Sequence, residues 1–357
     1  MIDAPRLEPA ARRAMIERRI ALVRRLAESR GAREAVLSTR RNVAWLTVGA
    51  DAHVEETTEE AIAEIRVMPS TWTVVTSVGE ERRLRDEELA DLDVAIDARP
   101  WDADRAPARD AAVLRDADLE RQLRVMRADL TDVEQDRLRW IGARAERAVR
   151  EVVAAAKPGD SELGVAHAVM RALSRDAIRA PVLLVAGDER IARYRHPLPT
   201  PKRVAKTLLV GLVAERWGIH AALTRMAAFA PPPADLALRY AAARDVEQTL
   251  HSGTRPGRSL EEVLADGVAA YRRAGFPEEW RLHHQGGIVG YRPREVIAAP
   301  RAGVLAASGM AFAWNPTITG TKVEDTFLLL PDGAREVVTR TGAWPSDSVG
   351  APAIFER

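Results

Sequence analysis

The sequence contains no cysteine. That one absence excludes disulfides, thiolate metal sites and cysteine nucleophiles together. It also fits a reducing compartment. No stretch approaches the roughly 18 consecutive apolar residues that a membrane span needs. The N-terminus, MIDAPRLEPAARRAMIERRIALVRRLAESRG, has no apolar core of signal-peptide length. A cytoplasmic protein without a membrane partner is the expectation. An excess of either charge is missing too: 53 Lys and Arg stand against 52 Asp and Glu, for a net charge of +1. With no basic block and no nucleic-acid motif, nucleic acid is not an expected partner. Short-period repeats and low-complexity segments are absent as well.

What remains is an ordinary globular composition, 46% hydrophobic over 357 residues. That length suggests two domains, with three as the alternative. Residues 10–30 repeat apolar positions at helical spacing and end at Gly31. Ala35–Ser38, Asn42–Gly49, one or two runs within 64–79, and 93–101 read as strands, with a helix over Leu84–Leu92. Strands alternating with helices imply an α/β domain over residues 1–130. Its last part, 102–131, reads as a helical linking region. A second domain, 131–357, opens with a long helix capped at Thr131 or Asp132 and stopped by KPGD at 157–160. Ser161 caps another helix. Pro181–Ala186 is a strand, and helices over 235–250 and from Ser259 to Gly275 follow. Residues 280–340 are strand and loop.

Three polar, turn-rich patches carry the candidate chemistry. In the first, RYRHPLPTPKR presents His196 just before two apolar runs, 208–214 and 219–226, that Gly218 separates into a hairpin. The second is WRLHHQGGIVGYRPRE, 280–295. Its adjacent His283 and His284 face opposite ways if extended, so only one can enter a given pocket. Gly286 and Gly287 permit close approach of a ligand or another strand. The third is AWNPTITGTKVEDTFLLL, 313–330, where Glu324 and Asp325 alternate faces. Read singly, each patch is also ordinary: a loop histidine, a hydrogen-bonded histidine pair, a polar strand edge.

Taken together the patches resemble the creatinase, prolidase and aminopeptidase P group. NVAWLTVG, VEQDRLRWIGARAERAV, KPGDSE, VLLVAG, RHPLPT, the hairpin, HHQGG, WNP and VED follow in that group's order over nearly the whole chain. The resemblance implies a smaller α/β N-terminal domain followed by a pita-bread catalytic domain. It also implies a homodimer whose N-terminal domain reaches the partner's active site, where Trp45, Asp51 or His53 would contribute.

The departures matter more. Metallopeptidases of this group carry two aspartates in a hairpin of the form VDxGAExxGYxSDxTRT. The corresponding stretch here, VGLVAERWGIHAALTRM, has Gly211 and Ala222 at those positions. A ligand glutamate is replaced by Asn315 in WNP, and a histidine of the peptidase signature by Tyr291; His284 and Glu324 remain. Paired divalent metals in such a fold depend on anionic oxygen ligands. The expectation is therefore no metal and no other cofactor, with a lone ion at His220 as a lesser alternative. Creatinase keeps this fold without metal and uses a histidine before the hairpin, a role that the resemblance carries onto His196.

The resulting expectation is a metal-independent hydrolase of an amide or amidine C–N bond in a small polar substrate. His196 would act as general acid and base. His284 would donate to the oxyanion, and Glu324 would hold a substrate cation or orient a histidine. Arg292 or Arg294 would clamp a carboxylate. His220, Thr224, His283, Tyr291, Asn315, Thr317 and Asp325 would line or support the pocket. The alternatives are a metal-dependent Xaa-Pro aminopeptidase, a metal-free lyase and a non-catalytic binding protein.

Overall fold

Helices form where the local signals stand. Pro9 occupies the first turn of α1 (Pro9–Glu28), and Gly31, at φ +71°, lies just beyond its end. The structure, a computed structural model, describes residues 4–5, 7–103, 112–346 and 352–356. It contains two compact units, one ending at Arg127 and one beginning at Ala128. Among the described residues no helix is long and apolar enough to cross a membrane.

After α1 the first unit runs β1 (Glu34–Thr39), α2 (Arg40–Leu46), β2 (Glu60–Val67), β3 (Trp72–Ser77), α3 (Glu81–Arg83), a π turn over Leu84–Glu88, β4 (Ala95–Arg99), β5 (Val113–Arg115) and α4 (Asp116–Ala128). The sheet order is β4-β3-β2-β1-β5, with β4 and β5 joining the two edges in parallel. The expected linking region therefore supplies an edge strand and a helix; its residues 104–111 lie outside the described ones.

The run Asn42–Gly49, expected as a strand, is α2 and the turn after it. Its fate is set by distant partners. Asp116 accepts from the Ser38 and Thr39 hydroxyls, each at 2.8 Å, and from Asn42 Nδ2 at 2.5 Å. Arg127 donates to Asn42 Oδ1 at 2.5 Å. An apolar run this short fits either element, and the buried network selects the helix.

The second unit holds α5 (Asp132–Ala155), α6 (Glu162–Ser174), β6 (Arg179–Gly187), α7 (Glu189–Arg193), β7 (Thr207–Arg216), β8 (Ile219–Ala228), α8 (Ala234–Gly253) and α9 (Leu260–Arg273). Then come β9 (Gly286–Val289), β10 (Val296–Ile297), β11 (Ala311–Trp314), β12 (Thr317–Ile318), β13 (Thr321–Lys322), β14 (Asp325–Leu329), β15 (Arg335–Val337) and β16 (Phe355–Glu356). One sheet has the order β16-β8-β7-β6, another β10-β9-β11-β14-β15, and β12 pairs with β13. The expected hairpin is β7–β8. Trp217 and Gly218 turn it with φ of 55° and 78°, the two positive values that a tight hairpin asks for. A tryptophan pays steric cost there. Arg216 stacks on its ring at 4.2 Å and Arg137 at 4.9 Å, which holds it in place.

The two larger sheets meet where β8 approaches the start of β14. Thr224 N donates to Glu324 O at 3.0 Å, and Thr326 Oγ1 bonds both the amide and the carbonyl of Ala222. This junction carries the hairpin to the third patch. The glycine pair serves strand packing: a Cβ on Gly286 would stand 2.1 Å from Ala313 O, and one on Gly287 2.0 Å from Val296 O. Neighbouring strands take the space on both sides of β9.

Candidate active site

His196 sits in the loop between α7 and β7, and its neighbours fix that loop. The buried Glu162, at the start of α6, accepts from Gly187 N at 2.9 Å and from Thr200 N and Oγ1 at 3.0 and 2.7 Å; Arg190 also pairs with it. Arg195 donates to Glu279 at 2.5 Å and to Thr319 Oγ1 at 2.7 Å. His196 itself remains solvent-accessible, and among the described residues its ring has no hydrogen-bond partner.

Opposite it stands the histidine pair. The His196 and His283 ring centres are 6.0 Å apart, and those of His283 and His284 6.2 Å. Nδ1 of His283 donates to the His284 carbonyl at 2.5 Å, so Nε2 of the neutral ring accepts from the Thr317 hydroxyl. Both nitrogens of His283 are thus committed. His284 keeps both of its own available among the described residues, and both histidines, not the single one expected, lie at this site.

Glu324 is buried and crowded. Thr224 Oγ1 donates to its Oε2 at 2.9 Å. Arg294 Nη2 reaches Oε1 at 2.8 Å, and Lys322 Nζ lies 3.5 Å from Oε2. Burial alone would raise its pKa, but Lys322 and then Arg294 outweigh that and hold it low, so it is ionised. The same two cations act on the histidines. His196 is lowered by loss of water first and by Lys322 next. His283 is pushed down to about 3 by burial and then Lys322, and His284 to about 4 by partial loss of water and then Arg294. At neutral pH all three are uncharged, and His196 can accept a proton.

The site thus brings together His196, His283, His284, Thr224, Arg294, Thr317 and Glu324. Lys322 belongs with them and was not expected; a lone lysine in TKVED reads as a solvated strand residue. Glu324 cannot hold a substrate cation as expected, because two protein cations already occupy its carboxylate. Its neighbours make it an anchor. Asn315 is buried close in sequence to Thr317, and among the described residues its Oδ1 has no hydrogen-bond partner.

Other expected residues are engaged elsewhere. Tyr291 donates to Glu134, whose carboxylate also accepts from Thr131 N at 2.9 Å at the start of α5. Its hydroxyl therefore supports a helix terminus. Asp325 accepts from Arg225 at 2.8 Å, Arg340 at 2.8 Å and Thr339 at 2.6 Å, on the other face of its strand from Glu324. His220 bonds the Gly290 carbonyl through Nδ1 at 3.1 Å, and the charges acting on it are Glu215 and Arg179. Arg292 is half-buried in the turn after Gly290. Trp45, expected to reach a partner's pocket, is 2% exposed under the Arg19 guanidinium, in the core of its own unit.

The donor set bears on a metal. Gly211 faces Thr224 across the hairpin, and a Cβ there would meet Thr224 Oγ1 at 3.3 Å and Leu184 Cβ at 3.5 Å. Among the described residues, no three His, Asp or Glu side chains converge as ligands.

Comparison with known proteins places this geometry. Residues 136–331 match the description of metallopeptidase family M24 (Peptidase_M24). A probable dipeptidase PepE of Mycobacterium tuberculosis (strain ATCC 25618 / H37Rv) is 26% identical over 230 residues, 62% of this chain and 60% of that protein. The chain thus spans 60% of the length of the curated relatives it matches. The crystal structure of dipeptidase PepE from Mycobacterium ulcerans superposes with a TM-score of 0.77 at 19% identity, over 99% of this chain and 100% of that one. The prolidase from Pyrococcus horikoshii OT3 does so with a TM-score of 0.77 at 15% identity, over 91% and 98%. At these identities the likeness carries the fold, an α/β unit followed by a pita-bread unit.

Proposed function

The chain belongs to metallopeptidase family M24, and from that premise we propose that it hydrolyses a carbon–nitrogen bond, of amide or amidine type, in a small polar substrate without using a metal. One observation carries the metal-free part: Glu324, the carboxylate retained at a former ligand position, is paired with Arg294 at 2.8 Å and Lys322 at 3.5 Å. Two cations beside one carboxylate repel a dication, and Gly211, Ala222 and Asn315 offer no anionic oxygen. These residues do not fit the family's dinuclear centre.

In this reading His196 takes a proton from water as the water oxygen bonds to the substrate carbon. The C–N bond then breaks. The proton passes from His196 to the leaving nitrogen, and the ring ends neutral. His284 donates to the oxygen or nitrogen on which charge develops. Thr224 and His283 position Glu324 and Thr317.

A second reading is a metal-dependent dipeptidase or Xaa-Pro peptidase, favoured by the names of the relatives. One experiment separates the two: elemental analysis of protein purified without chelator, with turnover of an amide, amidine and dipeptide panel before and after EDTA. Near-zero metal and EDTA-resistant turnover, lost about 100-fold or more in His196→Ala, is the expected result. Stoichiometric metal with EDTA-sensitive turnover would establish the second reading. The homodimer belongs to the same proposal, and light scattering after gel filtration checks it.

A further inference from the structure

Lys322 is buried, with 5% of its surface exposed, and so is Glu324, at 4%. The Arg294 side chain is 9% exposed. One carboxylate therefore faces two cations in a space that excludes most water, and one positive charge is left over. Arg294 alone, at 2.8 Å, already makes a charge-assisted hydrogen bond to Glu324. Lys322, at 3.5 Å, lies beyond ordinary N–H···O range, although its ammonium has three donors to place. Arg294 Nε is buried and, among the described residues, has no hydrogen-bond partner. Keeping a surplus cation out of water is costly unless something compensates it. The three nearby histidines do not, because they are neutral and raise no opposing field. The surplus charge also stands beside Glu324, a position at which the family resemblance puts a metal ligand.

We propose that Lys322 and Arg294 form an oxyanion site beside His196 and His284, taking either a carboxylate of the substrate or the oxyanion that develops on its reacting carbon. This rests on the metal-free reading above. Lys322 supplies at the centre the positive charge that a divalent ion would otherwise bring. A bound anion completes the donors that Lys322 and Arg294 leave unused, and Glu324 holds both cations in position until it arrives.

Calorimetric titration of the full chain tests this without any turnover assay, so its outcome is independent of whether hydrolysis is found. The probes are N-acetylglycine, its neutral amide N-acetylglycinamide, and methylphosphonate, at pH 7 and low salt. Both anions are expected to bind, with the neutral amide at least about 10-fold weaker. Equal affinity for the two anions assigns the site to a substrate carboxylate; a methylphosphonate preference of about 10-fold or more assigns it to the developing oxyanion. Lys322→Met should weaken anion binding by about 10-fold or more while leaving the amide unaffected. Glu324→Gln removes the internal competitor and should tighten anion binding several-fold, a gain that structural damage would not produce. Failure of both anions to bind, or unchanged anion affinity in a folded Lys322→Met or Glu324→Gln protein, would overturn the assignment.

Discussion

Replacing His251 with glutamine should change how stability follows pH. His251 lies on α8, 3% exposed, against the Phe327 ring at 4.6 Å. Among the described residues its Nε2 has no hydrogen-bond partner and stands 4.0 Å from Glu247 Oε1, which has none either. Burial, and then the Arg340 cation, push its pKa down to about 3. The unfolded chain binds this proton below about pH 6.5, whereas the folded chain refuses it until about pH 3. Between those values the unfolded state holds more protons, so stability falls as pH drops, by up to about 1.4 kcal/mol per unit. From pH 6.5 to pH 5 the loss from this one residue is roughly 1.5–2 kcal/mol. Glu247 acts in the opposite sense. Burial, and then Asp325, raise its pKa to about 8. The folded state holds a proton there that the unfolded state releases above about pH 4.5, so stability falls as pH rises through that window. In the wild type the two slopes partly cancel between about pH 4.5 and 6.5. Urea unfolding from pH 5 to 7 measures the difference between the wild type and His251→Gln. The variant should lose less stability on acidification, by roughly 1.5–2 kcal/mol over that interval. Parallel curves would refute the reasoning, because they would mean that His251 accepts its proton in the folded state.

Gly286→Ala places a Cβ 2.1 Å from Ala313 O, at a φ of +120° that side chains rarely adopt. A loss of several kcal/mol is expected, read as a large drop in melting temperature or as insoluble protein. Arg225 is 1% exposed and bridges Asp325 at 2.8 Å, the Thr339 carbonyl at 2.7 Å and the Thr224 carbonyl at 3.0 Å. Arg225→Met should cost about 3–5 kcal/mol in denaturant unfolding, because it leaves the buried Asp325 half-paired.

Much of the fold is legible along the chain because its signals act over a few residues. Ser259 and Glu262 satisfy each other's neighbourhood at the start of α9, and Ser161 caps α6, as their spacing says. Gly218 marks the hairpin, and the order of motifs matches the family fold. His196 and His284 stand out as candidates because a histidine in a polar, proline-rich or glycine-rich turn has few structural duties. What those signals leave open are choices made by partners far off in sequence. Asn42–Leu46 is helical because Asp116 and Arg127 grip Asn42. Tyr291 is spent on Glu134, 157 residues away. Lys322 looks solvated in its own strand and becomes a buried cation only when β8 meets β14 and brings Thr224 and Glu324 alongside. Local propensity and capping are properties of neighbouring residues, so the sequence alone determined the capped helices, the hairpin and the family. Burial and pairing of charge are properties of the closed sheet, so only the tertiary structure decided that two cations surround Glu324.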